Sequence, residues 1–170
     1  MSLVLTSDFV GEYKLSQSRF TELDTYILKY EKYYLLRMLG NDLYNLFIAD
    51  LNGATPQVPQ SARFLAIYNP FNTIPSCDSL VISEGMKVML IQFIYFHYLR
   101  DSNHFNTIAG QVTNNTENSN NTPYQGNLIE VYNSGVVNYS NIQQKIEEDL
   151  VTYPETLGSY AEFLCYASGI

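Results

Sequence analysis

The chain has 170 residues, a formal net charge of −8 and 46% hydrophobic residues, including 15 Tyr, 9 Phe and no Trp. This length and composition predict one globular domain that needs no disulfide or metal to fold. The charge argues against a nucleic-acid clamp, because residues 101–170 hold eight acidic residues and one basic residue, Lys145, and such a surface repels phosphate backbones. The two cysteines, Cys77 and Cys165, form no metal-binding pattern, and the N-terminus lacks signal-peptide features; both observations favour a reduced, intracellular setting.

The first predicted elements are two helices that meet at a glycine. Apolar residues recur at gaps of three and four from about Thr21 to Leu39, namely Phe20, Leu23, Ile27, Tyr30, Tyr34 and Met38. Gly40 is predicted to be the left-handed residue that ends this helix. A second helix, Asp42 to Leu51, then follows, capped by Asn41. Together the two helices should form a tight corner.

Two loops and a short helix lead to the central element of the chain. The prolines in residues 54–60 predict a loop, and Phe64, Leu65 and Tyr68 predict a short helix that Asn69-Pro70 ends. A further helix is predicted from about Leu80 to Ser102, capped by Ser83 or Ser79.

This helix contains the run MKVMLIQFIYFHYL, Met86 to Leu99, in which only Lys87, Gln92 and His97 are clearly polar. Nearly every face of such a helix must be covered, so it should lie at the centre of its own bundle or between subunits. The run is too short to cross a bilayer.

Residues 103–127 are predicted to form a long arm, because they contain eight Asn and four Thr with few apolar residues. Loops of this length are uncommon in compact domains and are usually functional or disordered. The alternation of Ile108, Gly110 and Val112 indicates a short hairpin strand. The alternative interpretation is a solvated Asn-rich loop without a function.

A last long helix is predicted from about Gln125 to Val151, with Gly135 as a point of bending. Glu147, Glu148 and Asp149 lie at its C-terminal end, where the helix dipole disfavours negative charge, so an acidic patch there has a purpose. The tail, residues 153–170, carries Leu157, Tyr160, Phe163, Leu164, Tyr166 and Ile170, which suit a docking segment. This tail either folds back onto its own bundle or docks on a neighbouring subunit.

One constellation supports an enzyme or a metal site: His97, Asp101 and His104 would share a helix face if the helix continued that far. A core or interface histidine with one hydrogen bond is the favoured interpretation, and Arg100 and Asp101 are expected to pair with neighbouring helices or to cap the helix end. The chain has no nucleotide-binding or nucleophile motif. We therefore expect no enzymatic activity and no cofactor.

The order of these elements resembles a known family. The stretch TYILKYEKYYLLRMLGNDLYNLFI (Thr25 to Ile48), the aromatic helix ending FHYLRD (Phe96 to Asp101) and the TENS segment (Thr116 to Ser119) are similar to helical head-to-tail connector proteins of tailed bacteriophages. The likeness is strongest to the neck ring, or adaptor, proteins of crAss-like and other phages of Bacteroidetes hosts. It covers most of residues 20–151, and its motifs are packing patterns without a catalytic signature.

The resemblance implies an all-α fold, a bundle of about four to five helices with a long loop or arm before the last long helix. It also implies a structural virion protein that assembles as a ring, typically of twelve copies, between the portal protein and the next neck or tail ring. DNA would pass through the ring without specific binding, and no membrane would be involved.

Within this picture, residues 1–170 form a single connector domain with the arm (103–127) and the tail (153–170) as contact segments. The expected contacts with other copies or the portal are Phe105, Ile108, Val112, Tyr124, Tyr160, Phe163 and Tyr166, and the expected channel-facing acids are Glu147, Glu148 and Asp149. The alternatives are a stopper or tail-completion protein, a small helical metal-binding protein or enzyme, and a regulatory module.

Overall fold

A computed structural model describes residues 2–15, 20–74, 80–102, 104–107, 110–113, 124–157 and 164–167. These residues form four helices, α1 (Phe20–Asp50), α2 (Ala62–Tyr68), α3 (Met86–Ser102) and α4 (Tyr124–Glu148), and four short strands, β1 (Phe71–Thr73), β2 (Val81–Ser83), β3 (His104–Thr107) and β4 (Gly110–Thr113). The fold is a mostly helical bundle with a short hairpin before its last long helix, which confirms the predicted class. No helix in the described ranges is long and apolar enough to span a membrane.

The kink in α1 lies at the predicted glycine. Gly40 has φ of 70° and ψ of 172°, a conformation that interrupts the helical backbone. Positive φ favours glycine because it has no Cβ. The predicted break between two helices at Gly40 is therefore confirmed, although ψ at Gly40 is extended instead of left-handed helical.

The central helix is α3, as its composition predicts. Every residue from Met86 to Leu99 is at least partly buried, and in α3 only Arg100 is exposed. One side of α3 packs on α1, where the Tyr34 ring stacks on Phe93 at 3.9 Å between centroids. Another side packs on α4, where Tyr139 and Tyr132 meet the same Phe93 ring edge-on. Of the two predicted locations, the centre of its own bundle is the one observed.

The start of α3 differs from the prediction. Val81–Ser83 is a strand that pairs antiparallel with Phe71–Thr73, and the helix begins only at Met86. Ser83 does not cap a helix at its predicted position; its hydroxyl bonds Asn138 Oδ1 at 3.3 Å and accepts the Gly85 N–H at 3.1 Å. Gly85, with φ of 91°, then turns the chain into α3. Strands of three residues are too short to give a clear alternation in the sequence.

The segment before α1 is anchored through one carboxylate. Glu31 of α1 accepts hydrogen bonds from the Ser2 hydroxyl and from the backbone N–H groups of Leu3 and Val4. Burial raises the pKa of Glu31. Leu3 and Val4 are fully buried. The Glu31 side chain therefore turns inward, whereas the neighbouring charged residues of α1 face outward.

The last helix ends earlier than predicted, at Glu148 instead of Val151. Residues 149–152 form a turn in which the Asp149 carboxylate accepts a hydrogen bond from the Thr152 N–H at 3.1 Å.

The tail is hydrogen-bonded to α4 at Ala167. The Asn133 side-chain amide donates to the Ala167 carbonyl at 3.2 Å, and the Asn133 side-chain oxygen accepts from the Ala167 N–H at 2.9 Å. The described part of the tail therefore lies on its own bundle, the first of the two predicted arrangements.

Candidate functional site

A groove of about 400 Å³ lies between the N-terminal segment, α3 and α4. Its walls include Glu12 and Tyr13 from the N-terminal segment, Tyr95 and Leu99 from α3, and Glu130 and Val131 from α4. Because three separate elements supply the walls, the groove exists only in the folded bundle. We call it the acidic groove.

The aromatic wall of the acidic groove is uncharged. The rings of Tyr13 and Tyr95 meet edge-on at 5.7 Å. Burial, chiefly, raises the pKa of Tyr13 to about 12 and also raises the pKa of Tyr95, so both stay protonated at neutral pH. The charge of the groove is carried by Glu12 and Glu130, and neither forms an ion pair with any residue that the structure describes. Exposed Lys14, adjacent to Tyr13 in sequence, lies outside the lining.

A buried polar network lies beside the groove and shares Tyr13 with it. The Gln92 side-chain amide donates to the Tyr13 hydroxyl and to Glu84 Oε2, each at 3.1 Å, and its oxygen accepts from Asn138 Nδ2 at 3.0 Å. Gln92 and Asn138 are 1% and 4% exposed. Asn138 Nδ2 also donates to Glu84 Oε2 at 3.2 Å, and Asn138 Oδ1 accepts the Glu84 N–H at 2.9 Å. The network thus joins the N-terminal segment, the β2–α3 turn, α3 and α4.

The second surface of interest is the outer face of α1. It carries exposed Leu28, Lys29, Lys32, Tyr33 and Leu36, with half-buried Arg37 beside them. The Arg37 guanidinium lies over the Tyr33 ring at 4.1 Å and Lys29 Nζ over the Tyr30 ring at 4.8 Å. We call this surface the basic face.

His97 is a partly buried histidine with one hydrogen bond that packs against the core rings of α1, in line with the favoured interpretation. Its ring stacks on Tyr30 at 3.9 Å with an interplanar angle of 3°, and Nε2 is hydrogen-bonded to the Tyr34 hydroxyl at 2.6 Å. Asp101 accepts from Arg100 at 2.8 Å and from the Tyr26 hydroxyl of α1 at 3.3 Å, as expected of a residue that pairs with a neighbouring helix. His97 Nε2 and the Asp101 carboxylate are therefore both hydrogen-bonded, whereas His97 Nδ1 is buried without a partner among the described residues.

His104, the third member, lies in β3, and its side chain is outside the described part of the structure. Among the described residues, no group of three His, Cys, Asp or Glu side chains is placed to hold a metal ion.

Acid should weaken the protein through His97. Burial, followed by the positive charge of Arg100, lowers the pKa of His97 from 6.5 to about 4. The unfolded chain therefore takes up this proton first, so the stability is fully present above about pH 6.5 and is lost as the pH falls toward 4. After a discount for the partial exposure of the ring, we expect a loss on the order of 1–2 kcal/mol.

Urea unfolding of the wild type and of His97→Gln at neutral and acidic pH measures this loss. The variant cannot titrate at this position, so its free energy of unfolding should fall less steeply with acid. Equal pH dependence in the two proteins would contradict the assignment.

The predicted contact residues fall on different parts of the structure. Phe105 and Val112 are register partners in the β3–β4 hairpin, which confirms the predicted short hairpin, and Tyr124 is the first residue of α4. Tyr166 is 64% exposed. Ile108, Tyr160 and Phe163 lie outside the described residues, as does the arm from 114 to 123. Glu147, Glu148 and Asp149 are exposed at the end of α4.

Sequence reasoning missed the acidic groove and the polar network. Glu12, Tyr95 and Glu130 belong to elements far apart in the chain, and no local pattern links them. One signal was present: Gln92 is a polar residue within a strongly apolar run, and such a residue needs a buried partner.

Comparison with protein-family models, with curated proteins and with solved structures gave no match.

Proposed function

We propose that this protein is a structural component of the neck of a tailed bacteriophage, a ring adaptor between the portal and the tail. Copies of the chain, twelve in the expected ring, would extend the DNA channel beneath the portal and present a platform to the next neck or tail ring. The protein would have no enzymatic activity and would reside in the virion. The family resemblance of residues 20–151 suggests this role.

The observation that carries the proposal is the β3–β4 hairpin. It follows the central helix in the chain, and its two strands pair with each other from His104↔Thr113 to Thr107↔Gly110. The bundle already encloses α3 within one chain. A self-paired arm on a complete core is suited to reach a neighbouring subunit, as the subunits of a closed ring require.

The acids at the end of α4 have a place in the same proposal. Glu147, Glu148 and Asp149 are exposed and close together in sequence. Facing the channel, they would repel the phosphate backbone and let DNA slide without being trapped. We assign them to the channel wall of the ring.

Imaging of the protein mixed with the portal protein from the same genome tests the proposal. The expected result is a closed ring on the portal with the end of α4 lining the channel. A discrete, low-order complex, or a protein that leaves the portal bare, would contradict the proposal. Binding only to a ring further from the portal would favour a stopper or tail-completion protein instead.

Deletion of residues 106–122 should leave a folded protein that assembles poorly, because the arm would be lost while the bundle remains. Circular dichroism checks the fold and electron microscopy of the portal mixture counts the rings. A finer test replaces both members of one register pair with serine, Phe105→Ser together with Val112→Ser. Its control replaces both members of the polar register pair, Asn106→Ser together with Gln111→Ser. Unimpaired ring formation by the deletion variant would remove the arm from the proposal.

A further inference from the structure

The basic face of α1 is free of acidic side chains over a long stretch. From Thr25 to Asn41 the only acidic residue is Glu31, and its carboxylate is turned to the N-terminal segment by its bonds to Leu3 and Val4. Lys29 and Lys32 are exposed, and Leu28 and Leu36 beside them are 58% and 36% exposed. The surface therefore combines positive charge with apolar area.

The acidic groove has the complementary character. Glu12 and Glu130 are exposed and supply negative charge, while Tyr13, Tyr95 and Leu99 supply apolar walls. A lysine side chain matches such a site, because its aliphatic stem packs on the rings and its ammonium group reaches the carboxylates. The volume of about 400 Å³ can take one or two long side chains.

The two surfaces lie on opposite sides of the bundle. On α3, His97 faces α1 while Tyr95 lines the groove, and two residues along a helix correspond to a rotation of about 200°. On α1, buried Tyr34 faces the core, so exposed Lys32 and Leu36, two residues before and after it, point about 200° away from the core. A copy that offers the basic face on one side thus offers the groove on the other.

We propose that the basic face of one copy docks on the acidic groove of the next, with Lys29 or Lys32 inserted between Glu12 and Glu130. Such a contact joins two different surfaces, so it is heterologous and can be repeated around a ring. The inference rests on the proposed ring, and it identifies the surfaces by which the copies meet.

A disulfide trap tests the contact in the full chain with Cys77→Ser and Cys165→Ser as background. Lys32→Cys and Glu130→Cys together should give a ladder of cross-linked multimers under mild oxidation at high protein concentration. Each single variant alone should give none, and a mixture of the two singles should give only dimers. Asn45→Cys, also exposed on α1, combined with Glu130→Cys is the matched control, and we expect at least about tenfold less cross-linking from it.

Salt provides the second readout, because high ionic strength screens the attraction between exposed charges. Lys29 and Glu12 keep their charges in the Lys32→Cys, Glu130→Cys variant, so its cross-linked yield should fall in high salt. A control pair that cross-links as well as the proposed pair, or dimers from a single variant alone, would overturn the contact.

The outcomes separate this inference from the proposed function. A ladder from a protein that does not bind the portal would support the contact and contradict the adaptor role. A ring that forms on the portal and leaves the Lys32–Glu130 pair uncross-linked would support the role and overturn the contact.

Discussion

Gly85→Ala should lower the free energy of unfolding by about 4 kcal/mol. Gly85 has φ of 91°, a conformation that side-chain-bearing residues rarely adopt. A Cβ there would lie 2.6 Å from the Tyr68 carbonyl oxygen and 2.9 Å from both the Asn69 carbonyl carbon and the Pro70 nitrogen. These are backbone atoms at the end of α2, so they cannot move aside as a flexible side chain would. The variant should unfold at a much lower urea concentration than the wild type.

Gly11→Ala is the matched control for this experiment. Gly11 also has positive φ, 62°, but a Cβ there would meet no atom within 4 Å. Gly11→Ala should lower the free energy of unfolding only by the conformational penalty, about 1 kcal/mol. Equal losses in the two variants would show that the close approach of Gly85 to the chain at Tyr68–Pro70 does not limit stability.

Asn138→Leu is the second substitution with a large expected effect, a loss of about 3 kcal/mol, since it removes the centre of the buried network. The Glu84 N–H loses the acceptor that Asn138 Oδ1 provides, and the oxygen of Gln92 loses its donor. Gln92 is 1% exposed, so water cannot replace that bond without rearrangement. Equilibrium unfolding in urea measures the loss.

Asn141→Leu provides the comparison in the same helix. Asn141 donates one hydrogen bond to the Ile82 carbonyl at 2.7 Å at an exposed position, where water can substitute. The expected loss is therefore below about 1 kcal/mol. In addition, Gln92→Leu combined with Asn138→Leu should cost less than the sum of the two single losses, because the residues share a bond. Strict additivity would argue against one connected network.

Composition and periodicity were sufficient to predict the helical frame. The apolar run of α3 predicted a fully covered helix because few polar residues interrupt it. Gly40 predicted the break in α1 because glycine, without a Cβ, adopts positive φ at little cost. The alternation of Gly110 and Val112 predicted a hairpin strand that is now seen as β4. These are local signals, carried by neighbours in the sequence.

The features that were missed depend on distant pairs. Val81 and Ile82 were assigned to the start of a helix, since the partner strand at Phe71–Thr73 gives no pattern in three residues. Glu31 carried no sign that it would bind the N-terminal segment. The acidic groove needs Glu12, Tyr95 and Glu130 brought together by the packing of α3 and α4, and only tertiary structure supplies that information.

The rings around Tyr34 give the protein a built-in optical reporter. The chain has no Trp, so its near-ultraviolet signals come from tyrosine and phenylalanine. Tyr34 is held between Phe93, on which it stacks, and His97, to which it is hydrogen-bonded. Such a rigid, asymmetric setting gives strong near-ultraviolet circular dichroism, which disappears when packing loosens. Protonation of His97 and loss of the core can therefore be followed without a dye or an added label.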